Sequence, residues 1–224
     1  MIWEISAWDL FLKGGPIMWP ILLSSSIALA IIAEKFICFA KISTNVFLLK
    51  QTIFNFIKQN KLKEAVKVCE ENISPVARIL KAGIVKFGCS REEIEKSMED
   101  VSLFEIPYLE KRLSALATIA NVAPLLGLLG TVTGMCGIFY TIQVQSSSLN
   151  PATPGDLAGG VWEALLTTVA GLLVAIPAFL TYNYFVSRVN GIVIEMERAA
   201  TELANLLCHI SETNIASQEG SQVL

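Results

Sequence analysis

Charged residues are scarce in this chain. Of its 224 residues, 17% are charged and 53% are hydrophobic, whereas soluble domains carry nearer one-quarter charged residues. The 17 basic and 20 acidic residues give a net charge of −3, so no overall basic field attracts nucleic acid. This composition excludes a disordered chain, a collagen-like chain and a soluble nucleic-acid binder. It indicates a membrane protein.

Residues that bind metals or perform catalysis are also few. The single histidine, His209, has no cluster of ligands beside it, and the five cysteines show no CxxC spacing. The sequence contains no Gly-rich phosphate loop and no Ser/His/Asp set. We therefore expect no metal site, no cofactor and no enzymatic activity, with an intramembrane hydrolase as a distant alternative.

Three long runs contain no charge: residues 14–33, 113–155 and 164–187. A helix that crosses the hydrocarbon core needs roughly 20 apolar residues, so these runs predict three transmembrane helices. The middle run is too long for one crossing, and its helix is expected to protrude before a polar segment at 145–155. The alternative is a buried helical bundle in a large soluble core. The first run has no small-residue cleavage site after it, so we expect it to remain as an anchor.

Basic residues are concentrated between the first and second runs. Residues 34–112 hold 14 of the 17 lysines and arginines. The charges that flank the predicted spans, which carry most weight for topology, all fall on one side: Lys35, Lys41, Lys111, Arg112 and Arg188. The positive-inside rule then places the large middle segment and the C-terminus in the cytoplasm. The N-terminus and the connection between the second and third spans lie outside.

Hydrophobic periodicity predicts helices in the cytoplasmic segment, at residues 45–60, 61–71, 76–87 and 91–112. Ser90 and Glu93 have the spacing of a capping box that opens the last of these helices. That helix is expected to lead into the second membrane helix, with a bend at Pro107.

The sequence thus predicts an all-α membrane protein with three transmembrane helices, the second and third long and extending into a cytoplasmic helical bundle. Its segments are an external interfacial segment at 1–13, a transmembrane helix at 14–34, a cytoplasmic helical domain at 35–112, a transmembrane helix with its cytoplasmic extension at 113–145, a periplasmic connection at 146–157, a transmembrane helix at 158–187, a cytoplasmic helix at 188–210 and a disordered tail at 211–224.

Small residues form a stripe on each of the last two membrane helices. One helix carries Ala120, Ala123, Gly127, Gly130, Thr131, Gly134 and Gly137 on one side, and the other carries Ala164, Thr168, Gly171 and Ala175, with Thr167 beside them. Such stripes let membrane helices approach closely. Packing explains the glycines and alanines better than the threonines, although lone hydroxyls often bond only to their own helix.

Glu163 opens the third charge-free run. A carboxylate inside hydrocarbon costs about 2.5–3.5 kcal/mol on insertion scales, so it should face protein or water. The alternative is an interfacial carboxylate near the external helix end, where the helix dipole favours negative charge. Thr131 and Thr168 are expected at similar mid-bilayer depth, with Glu163 nearer the outside. Together they would form a polar line along a wall of small residues.

Three stretches carry a family resemblance: residues 14–21 (GGPIMWPI), 117–132 (ATIANVAPLLGLLGTV) and 159–168 (GGVWEALLTT), the last continuing to Pro177. In these stretches the chain resembles the MotA/TolQ/ExbB proton-channel family, from Trp8 to about Leu207. Three predicted spans rather than four make it more similar to ExbB and TolQ than to the flagellar stator MotA.

The resemblance implies an inner-membrane homopentamer whose second and third helices surround the single transmembrane helices of an ExbD- or TolR-like partner. It also implies work at the outer membrane through TonB or TolA, driven by the proton motive force, with the titrating aspartate on the partner. Thr131 and Thr168 match the family's pore threonines, and Glu163 matches its pore-facing glutamate. Pore shaping and helix packing fall to Pro124, Gly127, Gly130, Gly134, Gly171 and Pro177. Thr133 departs from the bulky residue expected there.

Three alternatives stay open beside a subunit for TonB-dependent transport. One is a TolQ-type subunit for envelope maintenance and cell division. Another is a membrane scaffold that conducts no ions, in which the threonines only pack. The third is a flagellar-type or sodium-using stator.

Overall fold

The computed structural model describes residues 14–42, 46–145 and 154–222. Seven α-helices follow one another in these ranges, and no strand occurs there: α1 (Met18–Ile42), α2 (Val46–Lys58), α3 (Leu62–Glu70), α4 (Pro75–Val85), α5 (Arg91–Glu110), α6 (Leu113–Gln145) and α7 (Pro154–Gln222). The predicted all-α class is confirmed. The chain divides into two compact units, residues 1–34 with 112–184 and residues 35–111 with 185–224.

The first unit contains most of the apolar residues of three helical stretches, which continue into the second unit. Three helical stretches are long and apolar enough to cross a membrane: Met18–Ile42, Arg91–Gln145 and Leu157–Ile210. Large apolar side chains on them are turned away from the chain's own interior; Leu23, Leu125 and Leu173 are each more than 60% exposed. Water opposes such exposure, whereas lipid tolerates it. The predicted interfacial segment at 1–13 lies outside the described residues, as does most of the predicted connection, at 146–153.

A break separates α5 from α6, where the sequence predicted a helix that leads directly into the second span. Lys111 adopts φ −48° and ψ 132°, and Arg112 has a φ of +68°, a left-handed value that ends an α-helix. Arg112 forms an ion pair with Glu34 at the end of the first unit's part of α1. α5 itself continues past Pro107.

The second unit is a helical bundle with a closed apolar core. Its largest fully buried side chains come from α2, α4, α5 and the distal half of α7: Ile53, Ile57, Ile79, Leu80, Ile94, Met98, Leu109, Phe185, Met196, Leu203 and Leu207. The predicted cap of α5 is present, because the Ser90 hydroxyl accepts a hydrogen bond from the Glu93 amide at 3.3 Å. The helices predicted at 45–60, 61–71, 76–87 and 91–112 from periodicity and the capping box thus lie within a few residues of α2, α3, α4 and α5.

Lys35 is the one lysine of the described chain with a buried side chain, and it joins α1 to α5. It is 4% exposed, and its ammonium donates a hydrogen bond to the carbonyl oxygen of Leu109 at 2.7 Å. Leu109 lies in the last turn of α5, where carbonyls have no partner within the helix. The ring of Phe39 lies 5.7 Å from the same ammonium. A buried charge is thus satisfied by the C-terminal end of a helix.

α7 is longer than the segments predicted for this part of the chain. A single helix runs from Pro154 to Gln222, so it begins inside the predicted connection at 146–157 and has no end at 187 or 210. The helix includes residues 211–222, for which the sequence predicted a disordered tail. Between Gly191 and Gly220 the chain contains neither proline nor glycine, so nothing in the sequence breaks the helix there.

Candidate functional site

α6 and α7 approach each other within the first unit through residues that have no side chain. A Cβ atom added to Gly127 would lie 2.9 Å from the Thr168 Cα, and one added to Gly171 would lie 2.6 Å from the Ala123 carbonyl oxygen. A Cβ on Gly134 would lie 2.9 Å from the Cβ of Ala164. Real side chains do not tolerate such distances, so this contact requires glycine. Gly127, Gly134 and Gly171 are therefore placed where the predicted packing role needs them.

Gly130 makes the tightest approach, and its partner is Thr167. A Cβ on Gly130 would overlap the Thr167 hydroxyl. Thr167 is 2% exposed, and its hydroxyl donates to the Ala164 carbonyl in its own helix at 2.8 Å. The sequence pattern placed Thr167 beside the stripe of small residues and indicated no role for it. The signal was available, because a glycine on the facing stripe leaves room for a side chain opposite.

The hydroxyls of Thr168 and Thr131 donate to neighbouring backbone carbonyls of α6. The Thr168 hydroxyl donates to the Gly127 carbonyl oxygen across the helix contact, at 3.1 Å. In a regular α-helix that carbonyl also accepts the amide of the residue four positions on, which is Thr131. The Thr131 hydroxyl donates to the Leu128 carbonyl at 2.7 Å. Each hydroxyl donates its one hydrogen bond to a backbone carbonyl, and its oxygen keeps lone pairs that can accept a further hydrogen bond.

Glu163 lies elsewhere in the first unit, against the turn that precedes α1. Its carboxylate occupies the space that a side chain at residue 15 would take. Gly15 has a φ of +70°, a conformation that suits glycine. The structure therefore places Thr168 against Gly127, one turn before Thr131, and places Glu163 beside Gly15. Within the GGP motif at 14–16, Gly15 lets the chain pass close to this carboxylate, whereas a side chain at Gly14 would meet Met18.

The remaining candidate residues lie inside helices. Pro124 is half-buried within α6, whereas Pro177 is exposed within α7, and its carbonyl accepts the Thr181 hydroxyl at 2.6 Å. Gly137, which the sequence placed on the same stripe as Gly130, is exposed, and a Cβ on it would meet nothing within 4 Å. Gly137 therefore lies off the helix contact, which continues at Ile138, where a Cβ on Gly160 would lie 2.5 Å from the Ile138 Cγ1. Among the described residues, no three potential ligands gather into a group that could hold a metal ion.

Comparison with known proteins now identifies the chain's relatives. The model of the MotA/TolQ/ExbB proton channel family matches residues 71–198. An ExbB-like biopolymer transport protein of Synechocystis sp. is 31% identical over 78% of this chain and 82% of its own length. The Tol-Pal system protein TolQ of Haemophilus influenzae is 32% identical, over 84% and 88% respectively. The biopolymer transport protein ExbB of Xanthomonas campestris is 40% identical over a shorter match, 47% of this chain and 40% of its own length.

The chain belongs to the MotA/TolQ/ExbB proton channel family. Membership in this energy-transducing family, together with three helices long enough to cross a bilayer, makes it a multi-pass membrane protein closest in kind to ExbB and TolQ. The part matched by the family model includes Thr131, Glu163 and Thr168 and the whole contact between α6 and α7. The turn at Gly15 lies outside that part.

Proposed function

We propose that this protein is the channel subunit of an inner-membrane motor that couples the proton motive force to TonB-dependent transport across the outer membrane. In this proposal five copies form a ring around an ExbD- or TolR-like protein with one transmembrane helix, and TonB or a TolA-like protein carries the work outward. Two relatives named for biopolymer transport support the transport role. The N-terminus faces the periplasm and the C-terminus the cytoplasm, because the flanking basic residues follow the positive-inside rule.

One observation carries the proposal: the Thr168 hydroxyl donates to the carbonyl of Gly127, one helical turn before Thr131, in a part of the chain that contains no charge. Residues 113–155 and 164–187 lack Asp, Glu, Lys and Arg. Hydroxyls in such a wall hold water or accept a hydrogen bond from a protonated carboxyl, and they do not titrate themselves. The group that gains and loses the proton then belongs to the partner. Glu163, near the start of α7, would form the outer part of the same polar path.

The energy available fits conformational work. One elementary charge that crosses a potential of 100 mV releases about 2.3 kcal/mol. A few protons per cycle would therefore supply several kcal/mol, the scale of an interface rearrangement between subunits. In this function the protein acts as a channel and motor subunit, and we propose no enzymatic activity for it.

A TolQ-type role is the second candidate, and one observation favours it. The TolQ protein of Haemophilus influenzae matches this chain over 88% of its own length, more than the ExbB relatives above. Bacterial hosts that lack either exbB or tolQ separate the two roles. Restored growth on a substrate that needs TonB supports the transport role, whereas restored resistance to detergent supports envelope maintenance.

The experiment that tests conduction replaces both threonines, Thr131→Val and Thr168→Val, in the protein expressed with its partner. Valine keeps the shape and removes the hydroxyl, so we expect proton-dependent transport to fall at least tenfold while the ring still assembles. Thr141→Val is the matched control, since it removes from the same helix a hydroxyl that donates to Gly137 at 3.0 Å and is not one of the two candidate residues. Native mass spectrometry measures assembly. Normal transport by the double variant would refute conduction along this path and leave a scaffold.

The choice of ion has its own measurement. Transport is followed in sodium-free medium with and without a protonophore. Loss of transport on adding the protonophore supports the proton, and persistence of transport would favour a sodium-using stator instead.

A further inference from the structure

The second unit contains a cavity of about 460 Å³ that the channel function does not use. Its volume lies in the range of sites for small ligands. One part of the wall is apolar and includes Phe39, Ile42 and Val76, while the polar part includes Ser74, Arg188 and Glu195. Such a wall suits a molecule with both charged and apolar parts.

The N-terminus of α4 forms one side of this cavity. Ser74 is the N-cap residue, but its side chain makes no capping hydrogen bond. The residue is only 4% exposed, and its hydroxyl finds no hydrogen-bond partner among the described residues. The amides of Val76 and Ala77 lie in the first helical turn, where no carbonyl of the same helix can reach them. A buried hydroxyl and orphan amides at a helix N-terminus suit an anion such as phosphate.

Two opposite charges on α7 face the same cavity. Arg188 and Glu195 are seven residues apart, so they lie on one side of the helix with their Cα atoms roughly 10 Å apart. Both residues line the cavity, and within the described chain neither forms an ion pair. Charges that share a cavity without pairing suit a ligand that carries both signs.

We propose that this cavity binds the headgroup of an aminophospholipid, a phosphate diester joined to a primary ammonium. Its phosphate would contact Arg188 and lie at the N-terminus of α4, on the side of the cavity formed by Ser74 and Val76. Its ammonium would contact Glu195, and the apolar wall would cover the glycerol and the start of the acyl chains.

The sequence indicates why a lipid is the source of this phosphate. Arg188 is the first charged residue after the charge-free run at 164–187, and Phe39 and Ile42 follow the first such run within nine residues. The cavity residues therefore continue directly from the predicted cytoplasmic ends of two membrane helices. A site at that level meets the headgroups of the inner leaflet.

The first test measures which lipid the full-length protein retains. The protein and its partner are placed in nanodiscs that contain equal amounts of phosphatidylethanolamine and phosphatidylglycerol, and are then purified from them. Native mass spectrometry counts the lipids that remain bound. We expect phosphatidylethanolamine to be enriched. Arg188→Gln should lower its retention roughly tenfold, the usual effect of losing a charge-assisted hydrogen bond. Arg198→Gln, the same change on an exposed residue of α7 outside the cavity, should leave retention unchanged.

Glu195 gives the discriminating variant. Glu195→Gln should abolish the preference for phosphatidylethanolamine over phosphatidylglycerol while phosphate binding persists, whereas Glu197→Gln should keep the preference. Equal retention of both lipids by the unchanged protein would overturn the proposal, as would an effect of Arg198→Gln equal to that of Arg188→Gln. Thermal unfolding of each variant shows that it is folded.

A second test separates lipid from free phosphate. Calorimetry compares soluble glycerophosphoethanolamine, glycerophosphoglycerol and inorganic phosphate as ligands of the delipidated protein. Binding of glycerophosphoethanolamine that exceeds the other two, and that weakens in Arg188→Gln, supports the proposal. Tightest binding of inorganic phosphate would instead make this a site for a small anion and overturn the assignment to lipid. This inference shares the proposed membrane orientation with the proposed function, but neither test depends on proton conduction, so a failure of lipid binding is distinguishable from a failure of conduction.

Discussion

At the scale of single residues, Thr167 and Thr168 are chemically identical neighbours in different surroundings. They point about 100° apart around α7. Thr167 is buried against Gly130, whereas Thr168 is half-buried and its hydroxyl donates to the Gly127 carbonyl. The small-residue stripe predicted that both threonines lie near the helix contact. The sequence could not say which one is buried, because that depends on how α6 is rotated about its own axis.

The surroundings of Glu163 could not be predicted from the sequence either. Its two predicted surroundings, a polar path or an interface, were both read from its position along α7. The contact with Gly15 joins residues 148 positions apart in sequence, and local patterning carries no information at that range. The sequence shows a glycine at residue 15, but nothing in it identifies the residue that approaches its backbone.

Cys69 supplies a prediction at this scale. Burial, with a smaller contribution from the nearby Glu70, raises the pKa of its thiol to about 12, against the opposing effect of Lys81. At pH 8 the thiolate fraction should therefore be on the order of a thousandfold lower than for an ordinary cysteine. We expect iodoacetamide to modify the exposed Cys89 in the folded protein and to leave Cys69 intact. Peptide mass spectrometry after a timed reaction measures both sites.

The same shift makes stability depend on pH in the alkaline range. Because the folded state holds the Cys69 proton more tightly than the unfolded state, this contribution to the free energy of unfolding is complete below pH 9 and declines as the pH rises towards 12.

In the labelling experiment, unfolding by urea should expose Cys69, so that iodoacetamide modifies it at the rate of Cys89. Equal modification without urea would show that Cys69 is not buried as described.

At the scale of helices, sequence signals were strongest where a run of one kind of residue ends. α6 occupies Leu113–Gln145, the bounds predicted from the charges at 111 and 112 and from the polar residues after 145. The cap at Ser90 marked the start of α5. The break at Arg112 was missed because a left-handed arginine has no local sequence signature. It is held by contacts such as the ion pair with Glu34.

The same substitution at two positions of α6, Gly130 and Gly137, tests the contact between α6 and α7. Gly130→Ala places a methyl group on the Thr167 hydroxyl, so α6 and α7 must separate, at a cost of about 1–3 kcal/mol. Gly137→Ala meets nothing within 4 Å and gains up to about 1 kcal/mol of helix propensity. We expect a lower unfolding temperature for the first variant and an equal or higher one for the second. Equal unfolding temperatures would disprove the close approach at Gly130.

At the scale of the whole molecule, charge is distributed by segment. The residues between the first and second spans hold 14 of the 17 basic side chains, whereas the connection between the second and third spans, at 146–157, holds none. Transfer of a loop across the membrane is opposed by lysine and arginine near the span ends. This asymmetry is a property of the sequence, and it predicts topology without reference to how the helices pack.

Cys89 and a new cysteine in the connection measure that topology. In a background without the other four cysteines, Cys89 is exposed in the segment between the first and second spans. We expect an impermeant maleimide to leave it unlabelled in spheroplasts and to label it after lysis. Ser147→Cys, in a background that also lacks Cys89, should be labelled in intact spheroplasts, because the connection faces the periplasm. The reverse pattern would invert the orientation and place Arg188, with the cavity it lines, at the periplasmic surface. The inference about inner-leaflet headgroups would then be wrong, even if the cavity still bound lipid.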